Sequence, residues 1–122
     1  QIGTQIEGKV GDFVQQRTKI TGFGLKINNP NKKKGVTDLD IVTDLQIIEI
    51  KKSTSAIKDE QINRLIDPNH EQFFNYEGKE VILYIDELID YSKSSIKNDI
   101  DKIKDKGIIV VNSLEELEGV LK

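Results

Sequence analysis

Two runs of branched residues, 36-VTDLDIVT-43 and 46-QIIEIKK-52, are separated only by Asp44 and Leu45. So short a spacer folds the chain straight back on itself, which makes the pair an antiparallel hairpin. Side chains alternate along a strand. Asp38 and Asp40 therefore share one face of the first strand, and Glu49 and Lys51 share one face of the second. Leu39, Ile41, Ile48 and Ile50 take the other face. If the turn is centred between Asp44 and Leu45, facing residues have numbers that sum to 89. Asp40 then opposes Glu49, and Asp38 opposes Lys51.

Facing Cβ atoms in such a ladder lie about 4.5–5.5 Å apart, and like charges at that spacing repel. An uncompensated charge on a half-buried face costs several kcal/mol. The hairpin is therefore expected to gather a cation, either the Lys51 ammonium or a divalent metal. Two carboxylates suit Mg²⁺, which takes oxygen ligands and keeps several waters.

The rest of the chain supplies a frame for the hairpin. Ile6, Val10, Phe13, Val14 and Arg17 recur at helical spacing over residues 5–17, with Thr4 as the expected N-cap and Glu7 three residues on, as in a capping box. The segment 20-ITGFGLKIN-28 reads as a strand and 28-NNPNKKKG-35 as a loop. The segment 56-AIKDEQINRLI-66 is amphipathic at helical spacing and is stopped by Asp67-Pro68-Asn69. Next come a buried strand, 80-EVILYI-85, and a helix over 92–105, with Ser92 or Ser94 as its cap and Gly107 as its stop. The strand 108-IIVV-111 follows, and then a last helix capped by Asn112 or Ser113. The order is α-β-β-β-α-β-α-β-α. A hairpin followed by a β-α-β unit predicts an α/β fold: a mixed central sheet of about five strands flanked by helices on both faces.

A chain of 122 residues fits one domain, residues 1–122. It has no cysteine, so disulfides and thiolate zinc sites are excluded. No apolar run approaches the roughly 18 residues needed to span a membrane. The absence of methionine, even at position 1, suggests a module of a longer protein. Net charge is −3, unevenly spread: residues 1–58 hold ten Lys/Arg against six Asp/Glu, and residues 59–122 hold eight against fifteen. The half with the hairpin is thus the basic half, suited to a polyanion.

Asp40 followed by Glu49-Ile50-Lys51 on the next strand resembles the PD-(D/E)XK nuclease superfamily, although the proline of that signature is absent. The stretch 37-TDLDIVTDLQIIEIKKS-53 is similar to the restriction-endonuclease-like toxin domains at the C-termini of bacterial contact-dependent growth inhibition proteins, some of them tRNases. Ile6-Glu7 matches the family's helix glutamate. Gln61, ten residues after Lys51, stands where many members carry a glutamine. The ending 107-GIIVVNSLEELEGVLK-122 is similar to their last strand and helix.

The resemblance implies a restriction-endonuclease-like core with Asp40 and Glu49 as ligands of a divalent metal, Mg²⁺ first and Mn²⁺ or Zn²⁺ as alternatives. It makes Lys51 the group that orients the attacking water. Glu7 would hold a metal-bound water or a second metal, and Gln61 would touch the scissile phosphate or the lysine. Asp38 is an alternative to Asp40, and Asp12 to Glu7. Lys32, Lys33, Lys34 and Lys52 form a candidate phosphate-binding patch.

The function implied is a metal-dependent endonuclease toxin that cuts tRNA or, alternatively, DNA. It would be delivered as part of a larger secreted or cell-surface protein and act in the cytoplasm of a competing bacterium. A cognate immunity protein and a host cofactor protein would be its partners. A different class of reading makes the chain a non-catalytic adaptor whose acidic segments, 86-DELID-90 and 115-EELE-118, bind a basic partner.

Overall fold

In the computed structural model, residues 2–28, 36–53, 66, 78–87 and 89–122 are described, with side chains for all of these except 2–5, 7, 23–28 and 36–39. The elements are α1 (Ile2–Gln15), β1 (Ile20–Asn28), β2 (Val36–Thr43), β3 (Gln46–Lys51), β4 (Glu80–Ile85), α2 (Ser94–Asp105), β5 (Ile109–Val111) and α3 (Leu114–Val120). The strands form one sheet in the order β1-β2-β3-β4-β5. The first two pairings are antiparallel and the last two parallel. The fold class is therefore α/β with a five-stranded mixed sheet, and three helices are present among the described residues.

Alternation along the central strands divides the core in two. Ile41, Ile48, Ile50, Ile82, Tyr84 and Val111 face one way, against Ile6, Val10 and Val14 of α1 and Leu117 of α3. Val42, Ile47, Val81, Leu83 and Ile85 face the other way, against Ile100 and Ile103 of α2, with Ile108 beside them. Ile66 packs against this second cluster and is helical. The rest of the helix expected over 56–66 lies outside the described residues. No helix among the described residues is long and apolar enough to cross a membrane.

Two expected helix starts are corrected. Helix α1 begins at Ile2, so Thr4 lies inside it and is not the N-cap. The capping-box explanation of Glu7 falls with that assignment. At α2 the N-cap is Lys93, with no side-chain cap. Ser92 instead bonds to the Asp90 carboxylate through both its amide and its hydroxyl. The expected cap of α3 is met: Ser113 Oγ accepts from the Glu116 amide at 3.1 Å. Glu116 Oε1 in turn accepts from the Asn112 amide at 2.8 Å. Gly107 follows α2 with a φ of 89°, the left-handed conformation that ends a helix and that glycine adopts without steric penalty.

Candidate active site

The hairpin register is the expected one where β2 and β3 pair, Ile41 with Ile48 and Val42 with Ile47. Pairing then stops. The outer half of β2 stays on β1, with Leu39 on Leu25, Asp38 on Lys26 and Val36 on Asn28. Meanwhile β3 stays on β4 through to Lys51 and Ile85. Neither expected apposition, Asp40 with Glu49 or Asp38 with Lys51, is therefore part of the ladder. No non-glycine residue among those described takes a positive φ, so the Asp44–Leu45 turn lacks the primed geometry that matches strand twist. Turns of the other hand splay the strands.

The β2–β3 pairing ends toward the carboxyl ends of β3 and β4. In open α/β sheets this is the edge where ligands are bound. Asp40 stands next to the last pair. Past the last paired residues, the Ile50 amide donates to Asp40 Oδ2 at 2.7 Å. A carboxylate replaces the carbonyl that a continued ladder would have supplied. This charge-assisted bond fixes the orientation of the Asp40 carboxylate.

Glu49 is one residue away from that amide. It is buried at 8% relative exposure, one of three polar or charged residues so deeply placed among those described. Alternation puts it on the face of Ile47, as it puts Asp40 on the face of Val42, so both acids belong to the α2 side. Glu49 has interactions of its own, yet no hydrogen bond among the described residues reaches its buried Oε1. Lys51 shares this face and is half-buried. Its carbonyl accepts from the Asp86 amide at 2.8 Å.

A comparison with protein-family models, with curated proteins and with solved structures returned no match. The site therefore rests on its own geometry and chemistry.

Of the remaining candidates, Glu7 lies on α1, which covers the face of Ile48 and Ile50; its side chain lies outside the described residues. So does that of Asp38. Gln61 and the loop lysines Lys32, Lys33 and Lys34 lie outside them altogether. Lys52 is exposed just beyond β3. Asp12 is exposed in a shallow groove with Gly8, Gly11, Gln15 and Ile20. That groove is on the α1 side, away from the face of Asp40 and Glu49.

Among the described residues no group of three or more His, Asp or Glu side chains gathers around a common point. The donor set of Asp40 and Glu49 nevertheless has the right chemistry for a hard divalent cation, since both offer carboxylate oxygens and water can complete the shell.

Lys9 and Tyr84 were not singled out by the sequence, and Asp86 entered only as part of the acidic segment 86–90. Lys9 Nζ donates to Asp86 Oδ1 at 2.7 Å. The Tyr84 hydroxyl donates to the same oxygen at 3.4 Å. The Asp86 bond raises the pKa of Lys9 above its ordinary value. Burial is the main cause of the raised pKa of Tyr84. One signal was available: Asp86 is the first polar residue after a buried parallel strand, a position that often faces a ligand.

Proposed function

We propose that this chain is a metal-dependent endonuclease that hydrolyses phosphodiester bonds, with tRNA as the favoured substrate and DNA as the alternative. The observation that carries the reading is the seat of Asp40: its carboxylate is locked to the Ile50 amide where β2 leaves β3, beside buried Glu49. A buried acid in a strand of isoleucines weakens a fold, so its place there is better explained by chemistry than by stability. The PD-(D/E)XK resemblance supports the same assignment, residue by residue.

Asp40 and Glu49 would hold a divalent cation, Mg²⁺ first and Mn²⁺ or Zn²⁺ next. When bound, that ion supplies a water of lowered pKa and neutralises charge on the phosphate. The Ile50 amide keeps the Asp40 carboxylate from rotating away. Lys51 donates to the attacking water or to the anionic phosphate oxygen, in the manner of a preorganised cation. Water oxygen bonds to phosphorus and gives up its proton to solvent as the ester oxygen leaves on the far side, with inversion. The departing alkoxide takes a proton from solvent. The lean toward tRNA follows from the resemblance and from a net charge of −3, which is weak for gripping duplex DNA.

Use as a toxin rests on the resemblance. That part of the reading includes delivery from a larger secreted or cell-surface protein into the cytoplasm of a competing bacterium, a cognate immunity protein and a host cofactor protein. The adaptor alternative is weakened because at least three of its six acids are engaged within the chain. Glu116 caps α3, Glu118 pairs with Arg17 at 3.3 Å, and Asp86 pairs with Lys9.

The test is incubation of the protein with total tRNA and with plasmid, with Mg²⁺ and with EDTA. Cleavage should require the metal and should vanish in folded Glu49→Ala and Lys51→Ala variants. Cleavage that survives both substitutions discards the site, and intact tRNA and plasmid discard the nuclease reading.

A further inference from the structure

Helix α1 rests on the sheet through Ile6, Val10 and Val14. Apolar contacts of this kind are strong but non-directional, so they do not by themselves fix how far α1 sits along the strands. Directional ties do: Arg17, just past the end of α1, pairs with Glu118, and a second tie lies nearer the candidate site. Lys9 Nζ bonds to Asp86 Oδ1 at 2.7 Å, and the Asp86 amide bonds to the Lys51 carbonyl at 2.8 Å. Asp86 thus touches α1 with its side chain and the end of β3 with its backbone. One residue back along β3, the Ile50 amide holds Asp40. These bonds run from α1 to the backbone at the end of β3, the segment whose opposite face carries Glu49 and Lys51 and whose Ile50 amide holds Asp40.

We propose that Asp86 is a positioning residue for the cleavage centre, holding α1 in register with the carboxyl end of β3 through Lys9. The inference rests on the nuclease reading above. Stability does not account for the pair, because the side chains are 47% and 28% exposed and exposed ion pairs contribute at most about 1 kcal/mol. Direction is what a short charge-assisted bond adds. The Tyr84 hydroxyl, on the same oxygen, restricts the carboxylate further. Misplacement of a reacting group by about 1 Å can cost about 10²-fold in rate, so a weak tie can have a large kinetic effect.

The chain has no cysteine, so two introduced thiols can be spin-labelled specifically. Gly8→Cys is suited to α1, since a side chain there meets nothing within 4 Å. Asp44→Cys, exposed in the hairpin turn, reports on the sheet. The distance distribution is measured in this background, in Asp86→Ala, in Lys9→Met and in the swapped pair Lys9→Asp with Asp86→Lys. Melting temperature, kcat and KM for tRNA or plasmid are measured alongside.

The expected result is a broadened distribution and a kcat lowered about 10-fold or more in both single-site variants. KM and melting temperature should change little, and the swapped pair should recover both signals. An unchanged distribution or unchanged kcat overturns the proposal. So does a rise in KM alone, which would make Lys9 a substrate contact. Protein that cleaves nothing while its distribution still broadens in Asp86→Ala supports the tie and sinks the nuclease reading.

Discussion

Asp40 Oδ2 lies 2.7 Å from the backbone nitrogen of Ile50, so one carboxylate both ends a β-ladder and begins a candidate active site. The two roles separate by substitution. Asp40→Asn keeps an oxygen for the Ile50 amide and removes the charge, whereas Asp40→Ala leaves a partly buried amide without that acceptor. An orphaned buried donor costs about 1–3 kcal/mol. Urea denaturation should show that loss in Asp40→Ala and much less in Asp40→Asn, while both variants lose cleavage. Equal stability in the two would mean that the bond to Ile50 contributes nothing to the fold.

The residues explain which parts of this arrangement were legible beforehand. The register of β2 on β3 follows from a two-residue spacer and from the alternation of Ile47, Ile48 and Glu49, both of which are written in the chain. The end of the pairing past Ile41 and Ile48 is a matter of backbone geometry, which no composition rule encodes. Thr4 is a good cap by type, yet α1 starts earlier. Ser92 is also a good cap by type, but Asp90 claims it first. Lys9 meets Asp86 across 77 residues, and periodicity is silent on contacts so distant. The acids of the site could be named because they break an apolar pattern; their supports could not, because a lysine on a helix breaks none.

Gln46 anchors the opposite end of β3. It is fully buried. Its Nε2 donates to Glu80 Oε1 at 2.7 Å and to the Val120 carbonyl at 2.8 Å. Its Oε1 accepts from the Lys122 amide at 3.1 Å. Replacing it with leucine keeps much of the volume and orphans these partners. Gln46→Leu should lower unfolding stability by about 2–4 kcal/mol, the sum of one or two unsatisfied buried groups. A shift in the urea midpoint at constant slope would report it. A shift near zero would show that water replaces the amide there.

Glu80 makes this network sensitive to acid. Its carboxyl is held below the ordinary value of 4.5, first by the Gln46 bond and then by Lys122, against the opposing effect of burial. Because the folded state has the lower pKa, the contribution of Glu80 is fully present above about pH 4.5. It is lost as pH falls through the folded value. The urea midpoint should therefore drop below pH 4.5, and Glu80→Gln should remove part of that drop. Parallel curves for the two proteins would assign the acid limb to other groups.

A metal held by Asp40 and Glu49 would bind the native state and not the unfolded one, so it must raise the melting temperature. At a concentration 100 times the dissociation constant the gain is about 2.7 kcal/mol, which a thermal melt resolves easily. Mg²⁺ or Mn²⁺ should stabilise the wild-type chain, and EDTA should reverse the effect. Asp40→Asn and Glu49→Gln should each abolish the shift, since each removes one of the two anionic donors. Lys51→Met should keep it, or enlarge it, because the ammonium repels a cation without ligating it. A shift that persists in both acid variants would place the ion elsewhere and leave the pair without its proposed cofactor. A shift lost in Lys51→Met as well would indicate that the lysine orders the acids rather than acting on water.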